Sequence, residues 1–103
     1  MRKKLSAEEL AEALRSLPGW RAAGGKLHRE YKFADFIHAF GFMATAAIAI
    51  EKMNHHPEWS NVYSTVVVDL TTHDSGGITE NDVKLAKLLD NFAAKLEYSA
   101  SNA

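Results

Sequence analysis

The sequence predicts an α+β fold in which a four-stranded antiparallel sheet carries three helices on one face, in the order α-β-β-α-β-β-α. Two observations predict it. Apolar residues recur at helical spacing in three separate segments, the first and last of which open on capping residues. Two pairs of β-rich runs lie between those segments, with only short connections inside each pair.

The first helix starts at Ser6, Ala7, Glu8, Glu9, where Ser6 is the N-cap and Glu9, three residues on, completes a capping box. Leu10, Ala13, Leu14 and Leu17 form its apolar face, and Pro18 and Gly19 stop it. Trp20 to Ala23 and Lys26 to Lys32 read as two strands joined by the turn Gly24, Gly25. From Phe33 to Met53 the pattern is helical, with Phe36, Phe40, Met43, Ala47, Ile50 and Met53 as one stripe and Asp35 as an acid near the positive end of the helix dipole. Ala44, Ala46, Ala47 and Ala49 permit close approach of another helix, so part of this surface is expected to pack on a second subunit. His56 precedes Pro57, which disfavours helical backbone there, so the helix is expected to end near Asn54 or His55. Trp59 to Tyr63 and Thr65 to Thr72 are the second pair of strands, and Asp74, Ser75, Gly76, Gly77 is a loop. Thr79 caps the last helix with Asp82 three residues beyond, and Val83, Leu85, Ala86, Leu88, Leu89, Phe92 and Leu96 form its face. Residues 97–103, polar and small, read as a frayed tail.

Composition narrows the function classes. With 103 residues, 47% of them hydrophobic, and a formal charge of −1, the chain reads as a single domain over 1–103 that demands neither nucleic acid nor an anionic membrane surface. No apolar run approaches the roughly 20 residues of a bilayer span, and the opening Met1, Arg2, Lys3, Lys4 is not followed by an apolar signal region, so the expected location is the cytoplasm. The absence of cysteine removes disulfides, thiol nucleophiles and thiolate metal sites together.

The feature that points to chemistry is His55-His56 at the exit of the long helix, because imidazole exchanges protons near neutrality and helix ends let side chains converge on a cleft. Glu51 lies four residues before His55 and is expected to share its face and orient its ring. His73, at the far end of a strand, and Asp82, at the start of the last helix, fall at a sheet edge that His55 and His56 can reach. Spacing alone also allows a solvated helix end. A zinc site is weakly supported, since the histidines are scattered, and no metal ligands are assigned. His28 and His38 lie outside the cluster and receive no role.

Glu51, three residues, His55, His56, Pro57, five residues, Tyr63, nine residues, His73, eight residues, Asp82 resembles the signature of the pterin-4a-carbinolamine dehydratase family, also known as the dimerisation cofactor of a liver homeodomain transcription factor. The resemblance extends from Leu5 to about Leu96 and includes Phe33, Asp35, Phe36, Ala39 to Met43 and His55 to Trp59. It implies a hydro-lyase, active in tetrahydrobiopterin recycling, that dehydrates 4a-hydroxytetrahydrobiopterin to quinonoid dihydrobiopterin after an aromatic amino-acid hydroxylase, with no cofactor. It implies His55 and His73 as the acid-base pair, with His56 holding the pterin and assisting proton transfer. Asn54, Thr71, Thr72 and Asp74 become pterin contacts, Glu51 and Asp82 supporting carboxylates, and Trp59 a wall of the pocket. Asn54 stands where many relatives have an acid, and Asp74 where animal proteins have glutamate, but neither departure removes an imidazole. The resemblance also implies a homodimer or homotetramer, built through sheet edges, with Thr65 to Thr72 as the strand on offer, and through the long helix. The alternative class is an interaction module, a dimerisation cofactor or transcriptional coactivator acting through its helical surface.

Overall fold

The computed structural model describes residues 3–101, and side chains for residues 3–96. Its order is the expected one: α1 (Ala7–Arg15), β1 (Arg21–Ala23), β2 (Lys26–Lys32), α2 (Phe36–Met53), β3 (Glu58–Val62), β4 (Thr65–Leu70) and α3 (Glu80–Ser101). Local chemistry sets most boundaries. At α1 the capping box forms, with Glu9 N–H donating to Ser6 Oγ at 3.1 Å and Ser6 N–H donating to Glu9 Oε1 at 2.8 Å. That backbone bond, followed by the Ser6 hydroxyl, holds the Glu9 carboxyl below its usual range. The helix ends at Arg15, two residues short of Leu17, which instead buries its side chain in the core just after the cap at Ser16.

Gly24 and Gly25, with φ of 60° and 77°, make the two-residue turn that matches strand twist in a hairpin. Phe33 extends β2 rather than starting α2: its N–H donates to the Ser64 carbonyl at 2.8 Å, and its ring is buried. The cap of α2 is Asp35, whose Oδ1 accepts the His38 N–H at 2.8 Å; this bond, and then the His38 ring, lower the Asp35 pKa.

The stripe expected to bury α2 is only partly the buried one. Ala39, Phe42, Ala46 and Ile50 face inward, whereas Phe36 (46% exposed) and Phe40 (56%) face outward beside Ile37 (77%) and Ile48 (74%). The helix is apolar nearly all round, so periodicity does not select a face. Partners do: Phe42 packs on Tyr31 and Phe33, with ring centroids 4.9 and 5.2 Å apart. For the same reason α2, 18 residues with a mean hydropathy of 1.3, is long and apolar enough to cross a membrane by length and composition, contrary to the sequence expectation. In this fold its inner face is committed to the sheet and α3.

The sheet order is β1-β2-β4-β3, every neighbour antiparallel. β4 is therefore an inner strand paired on both sides, and the edges are β1 and β3; the strand from Thr65 offers no free edge for association. Strand alternation points Leu27, Tyr31, Val66, Val68 and Leu70 into the core under the helices, and leaves Lys26, His28, Glu58 and Asp69 on the opposite face. On the helical side Asp90 of α3 ties the layers together, accepting from Trp20 Nε1 (3.0 Å), Arg29 Nη1 (3.0 Å) and Tyr31 OH. After β4 the chain makes a bridge between Thr72 and Gly77 around a 3-10 turn, His73–Ser75, in place of the expected open loop. α3 continues through Ser101 where fraying was expected from Glu97; residues 102–103 lie outside the described residues.

Candidate active site

The site is built where α2 ends and α3 begins. Asn54 closes α2 in the left-handed conformation (φ 52°, ψ 44°), a backbone that asparagine tolerates better than most residues. The next residue, His55, has an 11% exposed ring whose Nε2 lies 2.6 Å from Asp82 Oδ1, and Asp82 itself is wholly buried. The same carboxylate serves α3, for Asp82 Oδ2 accepts the Thr79 N–H at 2.8 Å while Thr79 Oγ1 accepts the Asn81 N–H at 3.2 Å. The capping chemistry legible at Thr79 thus also anchors an imidazole.

Thr72 completes this centre. Its hydroxyl donates to Asp82 Oδ2 at 2.9 Å and accepts from Thr79 Oγ1 at 2.7 Å. Because Thr72 precedes His73, the tie from His55 through Asp82 to Thr72 fixes segment 71–74 against the exit of α2. No buried side-chain N or O among the described residues lacks a hydrogen bond, so the burial of Asp82 is compensated. Thr71 donates its hydroxyl to the Gly25 carbonyl at 3.2 Å, whereas Asn54 and Asp74 are exposed at the rim.

Glu51 does not orient His55 as expected. Its Oε1 instead takes His56 Nε2 at 3.0 Å, both side chains exposed. The helical register stops at Met53, and the left-handed residue Asn54 redirects His55 toward α3. Trp59 is half-buried against the core, on the inner face of β3, beside Val68. His73 is 77% exposed, with Nε2 3.3 Å from Glu58 Oε2. Glu58 was not singled out from sequence: the signal was alternation, which sends Glu58 and Trp59 to opposite faces of β3, but its second partner, Lys26, is 32 residues away.

All three imidazoles of the cluster meet a carboxylate through Nε2, each from a different element: Asp82 on α3, Glu51 on α2, Glu58 on β3. At His55 and His56, where the contact is a hydrogen bond, an ionised carboxylate only accepts, so Nε2 carries the hydrogen and, in the neutral ring, Nδ1 keeps the lone pair. His28 and His38 are held the opposite way, through Nδ1, by Asp69 (2.8 Å) and Asp35 (2.6 Å). Lys26, and then His73, hold the Glu58 carboxyl below the usual glutamate range, and Glu58 in turn raises Lys26. Among the described residues no three His, Asp or Glu side chains converge as a metal site. A hollow of about 610 Å³ lies elsewhere, between α1 and α3, over Leu5, Ala13 and Val83. It contains no imidazole, so for acid-base chemistry the cluster at the end of α2 is the better candidate.

A family model described as pterin 4 alpha carbinolamine dehydratase matches residues 3–92. A protein of Solibacter usitatus, provisionally named pterin-4-alpha-carbinolamine dehydratase, is 62% identical over 94 residues, which span 91% of this chain and 99% of its own. One of Rhodopseudomonas palustris with the same provisional name is 53% identical over 98 residues, spanning 93% of this chain and 97% of its own. A crystal structure of a transcriptional coactivator/pterin dehydratase from Brucella melitensis superposes with a TM-score of 0.85 at 47% identity, over 88% of this chain and 99% of that one.

Proposed function

The chain belongs to the pterin-4-alpha-carbinolamine dehydratase family, a family of hydro-lyases, and on that premise we propose that it dehydrates 4a-hydroxytetrahydrobiopterin to quinonoid dihydrobiopterin by histidine acid-base catalysis. The observation that carries the reading is the set of three imidazoles that each face a carboxylate through Nε2, His55 and His56 at the exit of α2 and His73 in the turn after β4. The reaction breaks the bond from carbon 4a to its hydroxyl, which leaves as water once protonated. Nitrogen 5 loses its proton, and that electron pair becomes the new bond to carbon 4a. The step is redox-neutral, and one acid and one base on the bound pterin balance it.

His55 and His73 are the proton-transfer pair in this reading, one facing the departing hydroxyl and the other nitrogen 5. His56, on the exposed rim with Glu51, holds the pterin, as do Asn54, Thr71, Thr72 and Asp74. Asp82 acts through His55, which it orients. The role fits the recycling of tetrahydrobiopterin after an aromatic amino-acid hydroxylase, in the cytoplasm. The test is turnover: the purified chain, supplied with 4a-hydroxytetrahydrobiopterin, is expected to form quinonoid dihydrobiopterin faster than buffer alone, and a rate equal to that of buffer counts against the proposal.

The outward face of α2 favours an additional role in association. Phe36, Ile37, Phe40 and Ile48 are exposed on one helix, with the small residues Ala44 and Ala47 also outside. We assign this face to contact between copies of the chain, giving a homodimer or homotetramer. Light scattering is expected to return a multiple of 11.4 kDa that Phe40→Glu reduces. An 11.4 kDa particle at every concentration contradicts the assignment. A coactivator role would use the same face for a helical partner, and His55→Ala separates it from catalysis, because partner binding would survive the loss of the ring.

A further inference from the structure

We propose that Glu58 is the positioning residue for His73, itself braced by Lys26, and that it fixes the ring with hydrogen on Nε2 and presents Nδ1 to the substrate. The inference rests on the assignment of His73 to proton transfer. His73 stands on a three-residue 3-10 turn with its ring 77% exposed, so packing does not hold it. An imidazole free to rotate loses most of the advantage of proximity. Its polar partner is Glu58 Oε2, at 3.3 Å.

Glu58 is held in place in its turn. Its Oε1 accepts from Lys26 Nζ at 2.5 Å, and Lys26 reaches it from β2 across the intervening strand β4. Asp69, the cross-strand neighbour of Glu58, is occupied by His28 Nδ1 at 2.8 Å, and so has a partner of its own. Lys26 keeps Glu58 ionised, as the lowered pKa of Glu58 reflects. A carboxylate that only accepts leaves the hydrogen of the neutral His73 ring on Nε2. A residue from each of three elements, β2, β3 and the turn after β4, thus forms one chain of contacts, Lys26 to Glu58 to His73.

Two readouts test this on the full-length protein. In ¹⁵N-histidine spectra, neutral His73 is expected in the Nε2–H form, and Glu58→Ala is expected to convert it to a mixture of tautomers. In turnover assays Glu58→Ala is expected to lower kcat about ten- to a hundredfold, with a much smaller change in KM. Glu58→Gln, which still offers an acceptor, is expected to fall between, and Glu58→Ala is expected to add nothing to His73→Ala. Unchanged kcat and tautomer in Glu58→Ala, alongside an impaired His73→Ala, would overturn the positioning role and leave the proposed function standing. Wild-type turnover in His73→Ala would remove His73 from the chemistry, and both readings would fall together.

Discussion

Replacing His55 by alanine is expected to lower kcat by about 10²–10⁴-fold, the range that a positioned acid or base supplies. Its ring is 11% exposed and lies 2.6 Å from a wholly buried carboxylate, so its orientation is more tightly set than that of His56 or His73. The substitution also strips Asp82 of one of its hydrogen-bond donors, and a loss of about 1–3 kcal/mol of stability accompanies the loss of rate. Assays therefore belong well below the variant's melting temperature. His56→Ala is expected to raise KM more than it lowers kcat, because its ring and its partner Glu51 stand exposed at the rim. His38→Ala is the matched control: that ring is bonded to Asp35 at the other end of α2, and turnover is expected to stay near wild type. Equal damage from His38→Ala and His55→Ala contradicts the placement of the site.

Asp82→Asn is expected to approach the same loss of kcat, about 10²–10⁴-fold, with every imidazole still present. Asparagine has the shape of aspartate and one carbonyl oxygen, which can keep the Thr79 N–H bond at the start of α3. The amide nitrogen then faces His55 Nε2 and donates where the carboxylate accepted. The ring must hold its hydrogen on Nδ1, the nitrogen that the reaction needs as an acceptor or a relay. Circular dichroism is expected to show the wild-type helix content, with stability lower by about 1–3 kcal/mol because the Thr79 N–H and the Thr72 hydroxyl, both on Oδ2, then share a neutral acceptor in place of a charged one. Wild-type kcat in this variant would show that the tautomer of His55 does not matter.

The parts of the fold legible in the sequence are those fixed by neighbours along the chain. Ser6 with Glu9, Gly24 with Gly25, and Thr79 with Asp82 each close a turn within three residues, and their chemistry leaves few alternatives. The buried face of α2 was not legible, because Phe40 and Phe42 are both plausible anchors until Tyr31 and Phe33 are known to lie opposite Phe42. The inner position of β4 depends on strand order, which no local pattern encodes. At the site, the group of His55, His73 and Asp82 was reached through signature spacing and not through local physics. The partner of Glu51 is not legible, because one left-handed residue, Asn54, breaks the rule that residues four apart share a helix face. Glu58 is not legible for the opposite reason: nothing near it in sequence shows that Lys26 and His73 flank it in space.

The central claim is that a pterin sits at the exit of α2 between His55 and His73, and a crystal structure of the chain with an oxidised pterin tests it most directly. The account predicts density for the ring bounded by residues 54–56 on one side and 71–74 on the other, with Nδ1 of His55 and of His73 toward it. A pterin seated instead in the hollow between α1 and α3, over Leu5, Ala13 and Val83, would contradict it.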